Sequence, residues 1–132
     1  MASKLTADQR AFVRENPFYA VVTTLREDGS PHSTVVWIDE EDGAIVFNTA
    51  YPRQKTKDLD HDGRAAVAVL DPADPYRWIS ASGPVTLSIE DGNAVIDRLS
   101  RKYTGHDYQS HREGETRVTV RMAPDHVTAH NI

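Results

Sequence analysis

Apolar side chains recur along this chain mostly with the two-residue period of strands, and the pattern switches to helical spacing in three places. Thr6-Ala7-Asp8-Gln9 reads as a capping box, opening a helix that must end before Pro17. Residues 19–25 are short and β-branched, a strand, and Arg26 to Pro31 supply a turn signalled by Asp28-Gly29. Residues 32–38 make a second strand, Glu40-Glu41-Asp42-Gly43 a second turn, and residues 44–49 a third strand with two distinct faces. After a Pro-broken loop, residues 54–59 leave room for under two helical turns before Asp62-Gly63. Arg64–Asp71 is almost continuously apolar, the pattern of a strand buried on both faces, and Asp71-Pro72-Ala73-Asp74-Pro75 breaks it. Residues 78–89 form a long strand bent at Gly83-Pro84, and residues 91–103 a helix with Val95, Leu99 and Tyr103 on one stripe. A polar loop over residues 104–115 leads to Thr116–Met122, where Val118, Val120 and Met122 point inward and Thr119 and Arg121 outward. Residues 126–132 finish the chain as an edge strand. Six or seven short strands with few helices predict a mainly β fold, a small antiparallel barrel in a single domain over residues 1–132.

At 132 residues the chain can bury one core, yet it is close to the size at which dimerisation adds useful burial. Its 20 acidic side chains outnumber 15 basic ones, for a net charge of −5, which argues against a general nucleic-acid binder. No apolar run approaches a membrane span, and residues 1–6 show no secretory signal, so a soluble cytoplasmic protein is expected. The absence of cysteine excludes disulfides, thiolate zinc sites and iron–sulfur clusters.

Two metal-like patterns fail on inspection. Asp58-Leu59-Asp60-His61-Asp62-Gly63 resembles the opening of a calcium loop, but the twelfth position, where a bidentate Glu belongs, is Val69; a solvated acidic turn is the better reading. His126 and His130 are four apart, which on a strand separates them by roughly 13 Å, too far for one metal. His106 and His111 lie in a polar loop, and surface histidines are the simpler account. No hydrolase, zinc-protease or dinucleotide fingerprint is present, and no residue is nominated as catalytic.

The segment that asks for a reason is Phe47-Asn48-Thr49-Ala50-Tyr51-Pro52-Arg53-Gln54-Lys55-Thr56-Lys57-Asp58-Leu59. Here a strand ends in three cations spaced two apart at the start of a helix, inside an acidic chain. Helix N-termini and Arg/Lys side chains both favour an anion. The alternative is a solvated helix start, with Lys55 and Lys57 pairing on the surface with Asp58 and Asp60.

In its ordered neighbours the chain resembles the pyridoxamine-phosphate-oxidase-like, flavin-binding split β-barrel superfamily. Asn16-Pro17-Phe18-Tyr19-Ala20-Val21-Val22-Thr23-Thr24 with Asp28-Gly29-Ser30-Pro31-His32 resembles the family's first hairpin, and Phe47 to Leu59 its phosphate-binding segment. Arg64-Ala65-Ala66-Val67 and Tyr76-Arg77-Trp78-Ile79-Ser80-Ala81-Ser82-Gly83 follow in the family's order. The resemblance implies a homodimer of six-stranded antiparallel split barrels with cofactor sites at the interface. It places Ser33, Thr34, Val35 and Val36 along the ring system, and Asn48 and Thr49 on the ring or ribityl chain. Arg53, Lys55 and Lys57 would hold the phosphate, with Ala50 and Thr56 in the same segment and Trp78 approaching from the partner subunit. Trp37, Trp78 and Tyr76 would suit the interface.

Pyridoxamine-phosphate oxidases proper carry Arg-x-x-Leu-Leu-Lys on the second strand, where this chain has Ser33-Thr34-Val35-Val36-Trp37. That departure, the short length and the Pro52 to Lys57 run are more similar to the branch using the deazaflavin coenzyme F420. The phosphodiester and oligoglutamate tail of that coenzyme give extra cations a use, and Lys4, Arg10 and Arg14 would extend the basic track. The expectation is an F420-dependent oxidoreductase transferring a hydride to a small planar or unsaturated substrate, with FMN as the alternative cofactor. The substrate face would come from residues 104–115 and the partner chain. A non-catalytic flavin or deazaflavin carrier, or a dimeric scaffold that has lost its site, are the rivals.

Overall fold

The computed structural model describes residues 4–132; Met1, Ala2 and Ser3, part of the segment read for a secretory signal, lie outside the described residues. Helix α1 (Ala7–Glu15) opens on the predicted capping box. Thr6 Oγ1 accepts from the Gln9 amide at 3.1 Å, and Gln9 Oε1 from the Thr6 amide at 3.0 Å. Eight strands follow: β1 (Ala20–Leu25), β2 (Pro31–Val36), β3 (Asp39–Glu41), β4 (Ala44–Tyr51), β5 (Arg64–Asp71), β6 (Asp74–Ser88), β7 (Thr116–Met122) and β8 (His126–His130). Helix α2 (Gln54–His61) joins β4 to β5, and α3 (Gly92–Thr104) joins β6 to β7. The strand beyond those expected is β3, which takes Glu40 and Glu41 out of the turn assigned to them. The reversal is tighter, made by Asp42 and Gly43 at φ 51° and 87°. Helix α2 runs one further turn fraction to His61, so Asp58 and Asp60 are helical, and β6 already includes Asp74 and Pro75.

All pairings are antiparallel, in the order β2-β1-β5-β6-β7-β4-β3 with β8 also on β6. Strand β6 turns this path into a split barrel, because residues 74–84 pair with β5 and residues 85–88 with β7. The switch falls at the predicted bend. There the link between β7 and β8 crosses β6, with the Ala123 amide donating to Pro84 O and the Asp125 amide to Ser82 O, both at 2.9 Å. A Cβ on Gly83 would lie 1.8 Å from the Ala123 carbonyl oxygen, so only glycine permits the crossing.

The main core gathers Val22, Ile45, Phe47, Val67, Ile79, Val118, Val120 and Met122 from the inner faces of the strands. Strand β4 is buried on both faces rather than one: Ile45 and Phe47 enter this core, while Val46 packs beneath Val95 and Leu99 of α3. The same helix lies on β7, so Thr119 is fully buried instead of outward-facing. Strand β5 differs in the opposite sense. Ala65, Val67 and Val69 are buried, but Ala68 and Leu70 are exposed, on a sheet face that also leaves Val21 and Val35 open.

Helix α3 is tied down at its C-terminal end. Lys102 Nζ donates to Val13 O (2.7 Å), a carbonyl of the last turn of α1, and to Ile38 O (2.8 Å). Tyr103 Oη donates to Phe18 O (2.5 Å) and accepts from the Ile38 amide (3.1 Å). Burial pushes the Tyr103 phenol up to about 12, so it stays a donor across the physiological range. No helix among the described residues is long and apolar enough to cross a membrane.

Replacing Gly83 with Ala should force β6 and the crossing link apart. The expected loss is about 1–3 kcal/mol of unfolding free energy, measured by urea denaturation, whereas Gly29→Ala, with open space at its Cβ position, meets only its φ of +85°.

Candidate functional site

One cleft, with a volume of ≈ 240 Å³, is assembled from elements far apart in the chain. The C-terminal end of β2 and the residue after it supply Val35, Val36 and Trp37; β4 supplies Asn48; the start of α2 supplies Arg53 and Lys55. Ile96 and Leu99 come from α3, Arg117 from β7, and Tyr19 and Tyr108 complete the lining.

Arg117 is the best-held group in it. Its guanidinium is 4% exposed, donating from Nε to Asn48 Oδ1 (2.9 Å) and from Nη1 to Glu115 Oε1 (3.1 Å). Asn48 is fixed at its other end, Nδ2 donating to Gly92 O at 2.9 Å. Gly92 itself sits so close to β7 that a Cβ there would meet Arg117 O at 2.1 Å. Absence of a side chain at Gly92 thus lets α3 dock and orients Asn48. Glu115 also receives Arg53 Nη2 at 3.1 Å, so one carboxylate spans two arginines. Burial alone would raise the Glu115 carboxyl, but the Arg117 and Arg53 guanidiniums hold it below its ordinary value.

Lys55 is the third cation. Its side chain is buried, and Nζ donates to Thr34 Oγ1 at 2.6 Å. Desolvation, and then the like charges of Arg53 and Arg117, depress its pKa, with Asp58 partly compensating. Asp58 is engaged elsewhere: its carboxylate accepts from Thr24 Oγ1 (2.6 Å) and Gln54 Nε2 (2.7 Å), and His32 Nδ1 lies 3.6 Å away. It is 1% exposed, a buried anchor for α2 rather than part of a solvated turn. Lys55 therefore makes no surface pair with Asp58, and Asp60 bonds Tyr51 Oη at 3.1 Å instead.

Donor capacity remains unused. Among the described residues Arg117 Nη2, Arg53 Nε and Nη1, and two of the three Lys55 protons have no acceptor. Three cations face one carboxylate with free N–H groups left over, an arrangement that fits a bound anion such as a phosphate. Away from the cations the lining is apolar and aromatic. Trp37 stacks on Tyr103 (centroids 5.6 Å apart, planes at 20°), beside Ile96 and Leu99. Among the described residues neither a carboxylate nor an imidazole lines the cleft.

Of the residues expected to bind a cofactor, Val35, Val36, Asn48, Arg53 and Lys55 line this cleft, and Thr34 adjoins it through Lys55. Ser33 points to the exposed sheet face, its hydroxyl 2.8 Å from that of Thr23. Thr49, Ala50 and Thr56 are fully buried, and Thr56 Oγ1 braces the loop by donating to Arg53 O at 2.8 Å. Lys57 is exposed, and Trp78 stacks on His130 outside the lining. Arg10 and Arg14 both bond the buried Glu40, at 2.9 Å each, and so serve the α1–β3 contact. Trp37 is half-buried and forms a wall of the cleft. Sequence reasoning missed Arg117, Tyr108, Tyr19, Ile96 and Leu99. The available signal was the charge at position 117, on the same face of β7 as Thr119 and Arg121, a face that α3 covers.

The chain belongs to the pyridoxamine 5'-phosphate oxidase family, whose model matches residues 5–131. It is 29% identical over 125 residues to the F420H(2)-dependent biliverdin reductase of Mycobacterium tuberculosis, covering 95% of this chain and 88% of that protein. Among solved structures it is similar to one described as an F420 reductase, with a TM-score of 0.80 and 24% identity over 89% of this chain and 94% of the other. A conserved hypothetical protein from Mycobacterium tuberculosis superposes with a TM-score of 0.74 at 22% identity, covering 98% and 86% of the two chains. These structural likenesses establish the fold.

Substituting Glu115 with Gln should lower unfolding free energy at pH 7 by about 1–3 kcal/mol, the scale of hydrogen bonds to charged groups. Because the folded-state pKa lies below 4.5, the carboxylate's contribution is present above that value and is lost as the pH falls through the folded value. Urea midpoints of the two proteins should therefore converge on acidification.

Proposed function

We propose that the chain is an oxidoreductase of the deazaflavin-using branch of its family, transferring a hydride between coenzyme F420 and a small planar or unsaturated substrate. The observation that carries this reading is the convergence of Arg53, Lys55 and Arg117, with unused donors, on a cleft whose remaining walls are apolar and aromatic. The phosphodiester of the coenzyme would lie on those cations and its ring along Val35, Val36 and Trp37. The similarity to an F420H(2)-dependent reductase supports the choice of coenzyme over FMN. When bound, the coenzyme supplies the hydride chemistry. The protein's own side chains bind the anion, orient the ring and keep water from one side of it. A lining without carboxylate or imidazole suits that division of labour.

An anion would also offset the crowding of like charges around Lys55. Lys55 is held below 10.5 by burial and by its cationic neighbours, and a bound phosphate opposes both effects. Affinity should accordingly fall as the pH rises through the depressed Lys55 value, earlier than an ordinary lysine would dictate. The cleft is smaller than the roughly 300–1,000 Å³ of typical small-molecule sites. The exposed apolar face bearing Val21, Val35 and Leu70 supports a second copy of the chain as what completes it.

Titration with F420 and with FMN, followed by intrinsic tryptophan fluorescence, tests the reading. F420 should bind, and Lys55→Ala and Arg53→Ala should each cost about 1.5–3 kcal/mol, roughly ten- to a hundredfold in Kd. FMN binding without an F420 response overturns the coenzyme assignment, and unchanged binding in both variants overturns the site. On the sheet face, Val21→Lys should convert a dimer to monomers in sedimentation velocity.

A further inference from the structure

The loop from Gly105 to Glu115 is exposed along its length except at two residues, Tyr108 and Glu115, and both meet the same guanidinium. Glu115 takes one edge of Arg117, while the Tyr108 ring lies over it, 5.0 Å from Cζ to centroid. The ring also stands edge-on to Trp37, with centroids 6.3 Å apart, so it reaches from the cationic lining to the aromatic lining. Its placement is fixed both by α3 and from within the loop. The Tyr108 amide donates to Asp97 Oδ1 of α3 at 3.0 Å, and His111 packs edge-on from behind at 4.9 Å. The phenol oxygen has no hydrogen-bond partner among the described residues, so the loop is not held by it.

From this geometry we infer that Tyr108 is a specificity-determining residue of the cleft: its ring is the wall against which a planar ligand ring packs, and it distinguishes ring-bearing anions from plain ones. The inference rests on the reading of the cleft as a flavin-type cofactor site. Arg53, Lys55 and Arg117 recognise an anion whatever is attached to it. Val35, Val36, Ile96 and Leu99 offer aliphatic surface, which is indifferent to flatness, and Trp37 is already stacked on Tyr103. An aromatic ring held on Arg117 in the cleft wall adds a ring contact, offset or edge-to-face, that only a planar partner returns. Since the hydroxyl is unused, the flat ring and not the phenol is what the site needs.

The test compares the wild-type protein with Tyr108→Ala and Tyr108→Phe, using F420, FMN and inorganic phosphate as separate probes. Tyr108→Ala should weaken the cofactor that the wild type binds by about tenfold and leave the phosphate-induced rise in melting temperature unchanged; Tyr108→Phe should bind as the wild type does. If Tyr108→Ala lowers the melting temperature by itself, Tyr108→Leu, which keeps apolar bulk without a flat face, takes its place with the same expectation. Equal cofactor affinity in wild type and Ala variant overturns the inference and leaves the cofactor reading standing. So does an equal loss for phosphate, which would assign Tyr108 only to shielding Arg117, and so does failure of Phe to rescue. A wild-type protein that binds neither F420 nor FMN overturns the cofactor reading, and this inference with it.

Discussion

A guanidinium buried between a strand, a helix and a loop governs this molecule. Removing Arg117 from water is costly unless its donors are met and its charge is balanced, and the partners that meet it come from distant parts of the chain. Asn48 is on β4, Glu115 ends the long loop, and Tyr108 lies within that loop. Each partner carries a further obligation. Asn48 can serve only while Gly92 O holds its amide, which ties the N-terminal end of α3 to β4. Glu115 also holds Arg53, which fixes the loop leading into α2. One buried charge therefore sets the positions of the three elements that surround the cleft.

The same arrangement crowds like charges beside a buried lysine. Glu115 is shared between two of the three cations, and burial first, then the like charges of Arg53 and Arg117, depress the pKa of Lys55. Between the folded pKa of Lys55 and its ordinary 10.5, the unfolded chain binds more protons, so stability rises with pH there and the charged form is a burden at neutral pH. A fold retains such a burden where a ligand removes it. Asp58, the nearest carboxylate to the lysine on α2, is not free to remove it, since Thr24 and Gln54 already occupy its oxygens.

How far this was legible beforehand depends on which forces act locally. The capping box at Thr6, the Asp28-Gly29 turn, the bend at Gly83 and the limits of β5 and β7 are short-range matters of φ preference, hydrogen bonding and alternation, and they read directly. Face assignments depended on what lay above each strand. Alternation cannot show that α3 covers β4 and β7, burying Val46 and Thr119, nor that no element of this chain covers Ala68 and Leu70. The cation segment was visible because three charges are adjacent in sequence. Arg117 was not, because its partners lie up to 69 positions away and its strand gives the same alternating pattern whether the charge faces water or a buried carboxylate. Lys57 shows the converse: sequence proximity grouped it with Arg53 and Lys55, but the helical turn carries it to the exposed side.

Strand β2 links the cleft to the open sheet face. Its side chains alternate, so Val36 and Thr34 face the barrel side, where Thr34 holds Lys55, while Val35 and Ser33 face outward. Yet Val35 also lines the cleft, because it sits where β2 ends and the chain leaves the sheet. Across the ladder it pairs with Val21, which pairs in turn with Ala68, forming a row of small apolar groups on the exposed face. Anything that packs on that row touches a residue lining the cleft. If a second copy occupies it, assembly and ligand binding share an edge, and each should strengthen the other by the affinity it adds at Val35. The constraint runs both ways, since a larger side chain at position 35 would alter the slot and the contact together, whereas Val21 reaches only the contact.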